Sequence, residues 1–480
     1  MNYALLKNFW CFMAVSLLLF GKCVAGDVEK RNILLLCIDD LRPVMGCYGG
    51  AAKSPHMDAF GEQAVIFTRH YVQWPVCGPS RASLLGGLRP DSSGIYEIGD
   101  SWQITKRPET HPTLPLYFKK HGYTTLSYGK VYHGSGNGKG YGWSEAPWKL
   151  NWDCYVNFEQ LKEKNAFRPA YEIYDGPDSR HNDYQTADRV IAALRKNKDR
   201  PFFIAGGFYK PHLPFVAPKR YWDWYTPDEI ERIQPDTLPL GAADYMYHWN
   251  EISAYGDPQG KELYESDAAV GKDQTLRMIH AYYACVSFID AQVGRILDAL
   301  ETEGLADSTA VVLWGDHGFH LGDQGRWAKH TQFEGAMRAP LMVRLPGQQK
   351  ISGVTQAIVE SLDLYPTLCD FAGLPIPEFV EGESLIPFIR GTSKGKQAAY
   401  SQIRPVGGAK KFRPMAYSVR TKDFRYVEWR LSAEGSEIVK QELYDLSQDG
   451  VETVNLADDS DMITVLQSHQ KLLAKVHPHE

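Results

Sequence analysis

Three short apolar runs, at residues 33–38, 202–205 and 310–314, constrain this chain more than any other feature. None carries a polar side chain, and each passes straight into glycine or charged residues. A half-exposed strand alternates apolar and polar positions, so a run with no polar face must be covered on both sides. That is the situation of a strand in a largely parallel sheet between two layers of helices. Between and after the runs, apolar spacing predicts helices over 114–121, 278–300 and 362–372, the last closed by Gly373. Strands alternating with helices on this scale predict a large α/β domain, and its 480 residues give the chain ample material for one core of that kind. In such sheets the site lies beyond the carboxyl ends of the strands, where these runs turn polar.

The pattern changes after Pro375 and Pro377. A stretch rich in Gly, Ser and Lys at 390–396 precedes strand-like segments at 415–420, 425–429 and 442–446 and a helix at 462–476. This predicts a main domain over 26–385 and a smaller C-terminal α+β subdomain over 386–480. At the other end, Lys7, the apolar residues 9–20 and Cys23-Val24-Ala25 read as an export signal over 1–25. Its apolar run is shorter than the roughly 20 residues that span a bilayer, so no stable membrane insertion is expected after cleavage. The expected location is the periplasm or the extracellular space. A net charge of −6 argues against a general nucleic-acid surface while leaving room for a local basic pocket. The eight cysteines are scattered, with neither a disulfide framework nor a CxxC metal spacing. Two stretches of weak periodicity, 134–180 and 241–261, read either as surface excursions with local packing or as the rim of a sugar pocket; the second holds Trp249 and Asn250.

The chemistry-bearing residues sit at or near these strand ends. Asp39 and Asp40 close the first run, and Asp316 and His317 follow the last. Cys77-Gly78-Pro79-Ser80-Arg81 leads into a helix expected through 82–85, whose free amides favour an anion. Lys130 and His133 lie three apart; His212 follows Phe208-Tyr209-Lys210-Pro211, and Lys329 stands in Trp327-Ala328-Lys329-His330. Taken singly, each has an ordinary reading: a cysteine buried beside a turn proline, acidic pairs that cap or solvate, core histidines, exposed lysines.

Together and in this order, the segments resemble the type I sulfatases. Residues 77–87 are similar to that family's modification signature, with Gly86 where threonine is commoner; the two acidic pairs resemble its metal-binding pairs. The strings around Lys130, His212 and Lys329, and His317 in place of a commoner asparagine, resemble the iduronate-2-sulfatase branch. The resemblance runs from Asn32 to Tyr417-Ser418-Val419-Arg420 and Glu442-Leu443-Tyr444-Asp445. It implies an alkaline-phosphatase-like α/β core, with a central mixed sheet flanked by helices, and a smaller C-terminal α+β subdomain. It implies Ca2+ held by Asp39, Asp40, Asp316, His317 and residue 77. It also implies conversion of Cys77 to formylglycine (3-oxoalanine) by a formylglycine-generating enzyme.

In the mechanism this implies, Asp316 helps activate a hydroxyl of the hydrated residue 77, which attacks sulfur and forms a covalent sulfated intermediate. Arg81, Lys130 and Lys329 offset negative charge, with Arg81 pairing with the nucleophile's oxygens or the sulfate. His212 protonates the departing sugar oxygen, assisted by Lys329. His133 then takes the proton that restores the aldehyde as sulfate leaves. The implied substrate is a sulfated oligosaccharide or glycosaminoglycan fragment, attacked at the 2-O-sulfate of a terminal uronate. Marine carrageenan or ulvan oligosaccharides are the alternative, and a catalytically silent saccharide-binding relative or a phosphatase the others. Arg42, Arg413, Arg420 and Arg425 are the candidate carboxylate-recognition residues, with a structural role open for each.

Overall fold

In β1 (Asn32–Ile38) the side chains sort with period two. Leu34, Leu36 and Ile38 enter one core, Ile33, Leu35 and Cys37 the other, and none is more than 1% exposed. A strand buried on both faces needs helices on both. In the computed structural model, which describes residues 31–133, 142–149, 155–157, 168–243, 247, 250–256, 264–265, 269–347, 352–405, 414–431, 437–448 and 450–478, they are present. One face is covered by α1 (Pro55–Gln63), α4 (Asn182–Asn197) and the long α5 (Lys272–Thr302), the other by α2 (Cys77–Gly86), α3 (Leu114–Lys120) and α6 (Leu364–Phe371). The export signal, about half of the 134–180 stretch, Trp249 and Arg413 lie outside the described residues.

The central sheet adds β2 (Val65–Tyr71), β3 (Thr124–Gly129), β4 (Phe202–Phe208), β5 (Thr309–Gly315), β6 (Leu341–Arg344) and β7 (Gly353–Glu360), in the order β7-β2-β6-β5-β1-β4-β3. Only β6 runs against the rest, so the sheet is mixed and six strands point their carboxyl ends to one edge. The three apolar runs are β1, β4 and β5, at the centre of this sheet. β4 is longer than its run because it continues through Gly206 and Gly207. A Cβ at Gly207 would stand 2.0 Å from the Lys130 carbonyl oxygen, so glycine there is what lets the chain leaving β3 pass close. β2 and β7 have no uninterrupted apolar run: Thr68, Arg69 and His70 break one, and on the outermost strand Val354 is 63% exposed.

The C-terminal subdomain is an antiparallel sheet of β8 (Ala399–Ile403), β9 (Met415–Arg420), β10 (Phe424–Leu431) and β11 (Glu437–Asp445), followed by α7 (Ile463–Ala474). One face packs on α7 through Val419, Tyr426, Leu443 and Leu473. The other puts Met415, Val427, Trp429 and Tyr444 against Trp74, Val76, Tyr247 and Phe333. The subdomain therefore backs the segment that leads into Cys77. The described cysteines are free, and no helix among the described residues is long and apolar enough to cross a membrane.

Candidate active site

The parallel register of β4, β1 and β5 aligns Phe208, Ile38 and Gly315, so the residues after them emerge side by side. The amide of Asp39 donates to the Phe208 carbonyl and that of Asp316 to the Ile38 carbonyl, each at 3.2 Å. Regular strand geometry would send Asp39 and Asp40 to opposite faces. Asp40 instead takes φ +57°, a conformation that aspartate tolerates better than most residues, and the alternation breaks there. Its amide donates to Asp316 Oδ1 at 3.0 Å and its carbonyl accepts from the Tyr282 hydroxyl at 2.6 Å, which holds the turn.

Asp39, Asp40, Cys77 and His317 consequently offer one ligand atom each within 4.8 Å of one another, all buried. His317 Nδ1 donates to the Gly318 carbonyl at 2.8 Å, so in the neutral ring Nε2 carries the lone pair, and it lies 3.3 Å from Cys77 Sγ and 3.4 Å from Asp40 Oδ1. Asp316 stands beside the group, its Oδ1 3.7 Å from the same nitrogen. Burial, only partly offset by Lys329 and His317, raises the Asp40 carboxyl to about 6. Burial also works against Asp39, but Lys130, His212 and Arg81 outweigh it and hold that carboxyl well below the usual range. Buried carboxylate oxygens with an imidazole lone pair aimed among them are a donor set that fits a divalent cation.

Cys77 is the first residue of α2, not a loop residue before it as expected. The helix begins there because Pro79 falls in the first turn, where a missing N–H goes unused. No side chain caps this end, so its first amides are left for an anion or for residue 77 itself. Burial and Asp39, against Lys130 and Lys329, push the thiol well above its ordinary value, so an unconverted Cys77 stays protonated and is a poor nucleophile. Gly86 has a local cause: a Cβ there would lie 2.3 Å from Ile104 Cδ1.

Arg81 is held mainly by the protein itself. The side chain is fully buried, and four of its five N–H groups are committed within the protein: Nε to Asp316 Oδ2 at 2.8 Å, Nη2 to Asp39 Oδ1 at 3.1 Å, and Nη1 to the carbonyls of Lys130 and, at 3.2 Å, Val131. A single N–H is left, too few for a fork on sulfate. Arg81 clamps the two carboxylates that shape the metal cluster.

Two lysines stand against the carboxylates of the cluster, and of these Lys329 lines the cleft. Lys130, just after β3, pairs with Asp39 Oδ2. Lys329 donates to both oxygens of Asp40 at 3.0 and 3.1 Å and lies 3.2 Å from Glu251, an acid the sequence reading did not single out. Both lysines stay protonated because carboxylate neighbours outweigh burial. His212 Nδ1 donates to the Leu213 carbonyl at 2.5 Å, and its Nε2 lies 3.6 Å from Glu251. Its loop is anchored by Asp183, which accepts from the amides of Tyr209 and Lys210 at 2.9 Å each, and by the Lys210 ammonium on the His212 and Pro214 carbonyls at 2.7 Å. Burial, reinforced by Lys130, lowers His133 to about 3. Burial and Lys329 likewise lower His212. Both rings are neutral at neutral pH.

Cys77, His133, His212 and Lys329 line one cleft of about 480 Å³, together with Trp74, Tyr96, Glu97, Glu251 and Arg404. The arginines expected to recognise a carboxylate are placed elsewhere. Arg42 is taken up by Asp323 at 2.7 Å and the Phe319 carbonyl at 3.1 Å. Arg420 and Arg425 are buried on Glu334 and Glu452 between the subdomain and the main domain. These three are structural, and none borders the cleft. Asn250 is tied to the protein through its Oδ1, which accepts from the Trp327 amide at 2.8 Å. Arg404 was not anticipated.

The family described as Sulfatase matches residues 31–374, and the one described as N-sulphoglucosamine sulphohydrolase, C-terminal, matches 322–479. The chain is 31% identical over 535 residues to the iduronate 2-sulfatase of Mus musculus, covering 94% of this chain and 96% of that protein. Among solved structures, a phosphonate monoester hydrolase of Agrobacterium radiobacter matches with a TM-score of 0.75 at 23% identity, covering 94% of this chain and 96% of that one. A 2-O GAG sulfatase matches with a TM-score of 0.70 at 24% identity, covering 93% and 92%. At these identities the two structures speak for the fold alone.

Proposed function

The chain belongs to the formylglycine-dependent sulfatases, and from that premise we propose that it is an exported, exo-acting enzyme that removes the 2-O-sulfate from a terminal iduronate or related uronate of a glycosaminoglycan fragment. The observation that carries the reaction class is the convergence of Asp39, Asp40, His317 and Cys77 within 4.8 Å at the carboxyl edge of the sheet, under a cleft lined by Lys329, His133 and His212. Support for the sugar comes from the likeness to iduronate 2-sulfatase along nearly the whole chain. The cleft volume of about 480 Å³ lies within the roughly 300–1,000 Å³ typical of small-molecule sites, in keeping with a chain end.

Calcium is the ion proposed for Asp39, Asp40, His317 and residue 77, with Asp316 alongside; bound there, it supplies fixed positive charge against the sulfate and the nucleophile. Conversion of Cys77 to formylglycine by a maturation enzyme provides the attacking oxygen, and Asp316 takes its proton. Lys130 and Lys329 offset the negative charge of the sulfate. His212 has its Nδ1 proton on a carbonyl, so a proton for the leaving oxygen must ride on Nε2. The negative charge of a bound ester favours that second proton, and Lys329 is the neighbouring donor that is already charged. His133, neutral, accepts the proton whose removal regenerates the aldehyde.

The test is product mass and sulfate release from defined saccharides, with Cys77 conversion confirmed by peptide mass. Loss of a terminal 2-O-sulfate from a uronate is the expected result. Loss from a sulfated galactose or ulvan unit would keep the reaction and overturn the sugar; no release from any member would favour a saccharide-binding relative.

A further inference from the structure

Arg404 is the cation of the cleft that the chemistry above leaves unused. It follows β8, the edge strand of the C-terminal sheet, and among the described residues no hydrogen bond or ion pair ties it to a carboxylate. Lys130 and Lys329, by contrast, are engaged with Asp39 and Asp40. The Arg404 guanidinium lies 4.6 Å from the centroid of the Tyr96 ring. An arginine stacked on a ring is steadied through its face while its in-plane N–H groups stay available, the geometry that matches a carboxylate.

The support beneath it is built. The Tyr96 hydroxyl donates to Asp91 Oδ1 at 3.0 Å, and Gln402 Nε2 donates to the same oxygen at 2.7 Å. One carboxylate thus fixes both the ring under Arg404 and the strand that carries it. β8 is also sewn to the main domain by the Gln402 amide on the Gln73 carbonyl at 2.9 Å and by the Ser401 hydroxyl on the Val72 carbonyl, just ahead of the nucleophile helix. The ring of Trp74, next in the chain, packs 5.7 Å from that of Tyr96. A cation held this way on the wall of a cleft whose floor takes sulfate can engage a second anionic group of the same substrate.

We propose that Arg404 recognises the carboxylate of the sugar that bears the scissile sulfate, and so sets specificity for uronates. The inference rests on the uronate-sulfatase reading above, and its test separates the two. Binding is measured by calorimetry for methyl iduronide and its carboxyl-reduced counterpart, with wild type, Arg404→Ala and Arg404→Lys of matched melting temperature. Turnover is measured on disaccharides ending in 2-O-sulfated iduronate or in its carboxyl-reduced form. Wild type is expected to bind the acid at least tenfold more tightly than the alcohol, Arg404→Ala to lose that preference, and Arg404→Lys to keep part of it. In kcat/KM, the loss in Arg404→Ala is expected to be at least tenfold larger on the acid than on the alcohol. No acid preference in wild type, or one that survives Arg404→Ala, overturns the proposal whether or not the ester is hydrolysed. A preference that depends on Arg404 while neither ester is hydrolysed leaves the proposal standing and overturns the 2-O-sulfate reading.

Discussion

Replacing Arg81 by lysine separates its two possible jobs, because charge is kept while the fork is lost. The guanidinium is fully buried and makes four hydrogen bonds, to Asp316, Asp39 and the carbonyls of Lys130 and Val131. A lysine ammonium cannot reach acceptors arranged around a planar fork, so at least two of these are left unmet. A buried acceptor stripped of its partner costs about 1–3 kcal/mol, which puts Arg81→Lys at about 2–6 kcal/mol of lost stability in urea unfolding. Asp39 and Asp316 also lose their common tie. Since misplacement by about 1 Å is enough for a 100-fold loss, kcat/KM should fall at least that far, and the calcium concentration that half-restores activity to chelated enzyme should rise. If Arg81 instead served the sulfate, the variant would keep wild-type stability and show chiefly a raised KM. That pair of results would refute the clamp and return Arg81 to the substrate.

Three other expectations follow from single residues. Cys77→Ser should accept sulfate once and hold it, seen as one added sulfate per chain by intact mass, because a serine ester has no second hydroxyl from which His133 can take a proton; sustained turnover would sink the aldehyde-hydrate route. His70 is buried between the Ala339 carbonyl and Ser361, and burial lowers it from 6.5 to about 4. The unfolded chain therefore binds the proton first, so its contribution is complete above pH 6.5 and lost as pH falls through 4. Between pH 7.5 and 5 wild type should lose about 2 kcal/mol more than His70→Gln in urea unfolding, and equal losses would rule this out. Arg425→Ala leaves Glu452 and part of Glu334 buried without their cation and should cost about 3–5 kcal/mol, read from the urea midpoint; a cost below about 1 kcal/mol would mean that this network does not lock the subdomain.

The sheet was legible where burial on both faces forces uninterrupted apolar runs, and its centre, β1, β4 and β5, was found on that ground. The strings around Cys77, Lys130, His212 and Lys329 were legible through their order along the chain and their resemblance to a known family; Lys130 and His212 sit just beyond strand ends and Cys77 opens a helix, while Lys329 lies well along the chain after β5. What escaped depends on partners far along the chain. β8 carries Ser401 and Gln402 in its middle and has no strand pattern; it is held by Val72, Gln73 and Asp91, which no local periodicity reports. Glu251 gains meaning only from Lys329 and His212 beside it.

The arginines show why this gap matters for function. Arg42, Arg420, Arg425 and Arg404 are the same residue type, and a sequence does not say whether the carboxylate that satisfies a guanidinium belongs to the protein or to a ligand. Three are closed by buried acids of the chain itself, where their charge serves the fold. Arg404 is braced from beneath by a ring and carries its charge on the wall of a cleft. Arg81 makes the converse case: a signature arginine beside the nucleophile is spent almost wholly on the protein's own acids and carbonyls. The number of N–H groups already committed, more than nearness to the reacting atom, decides which arginine is free to meet a substrate.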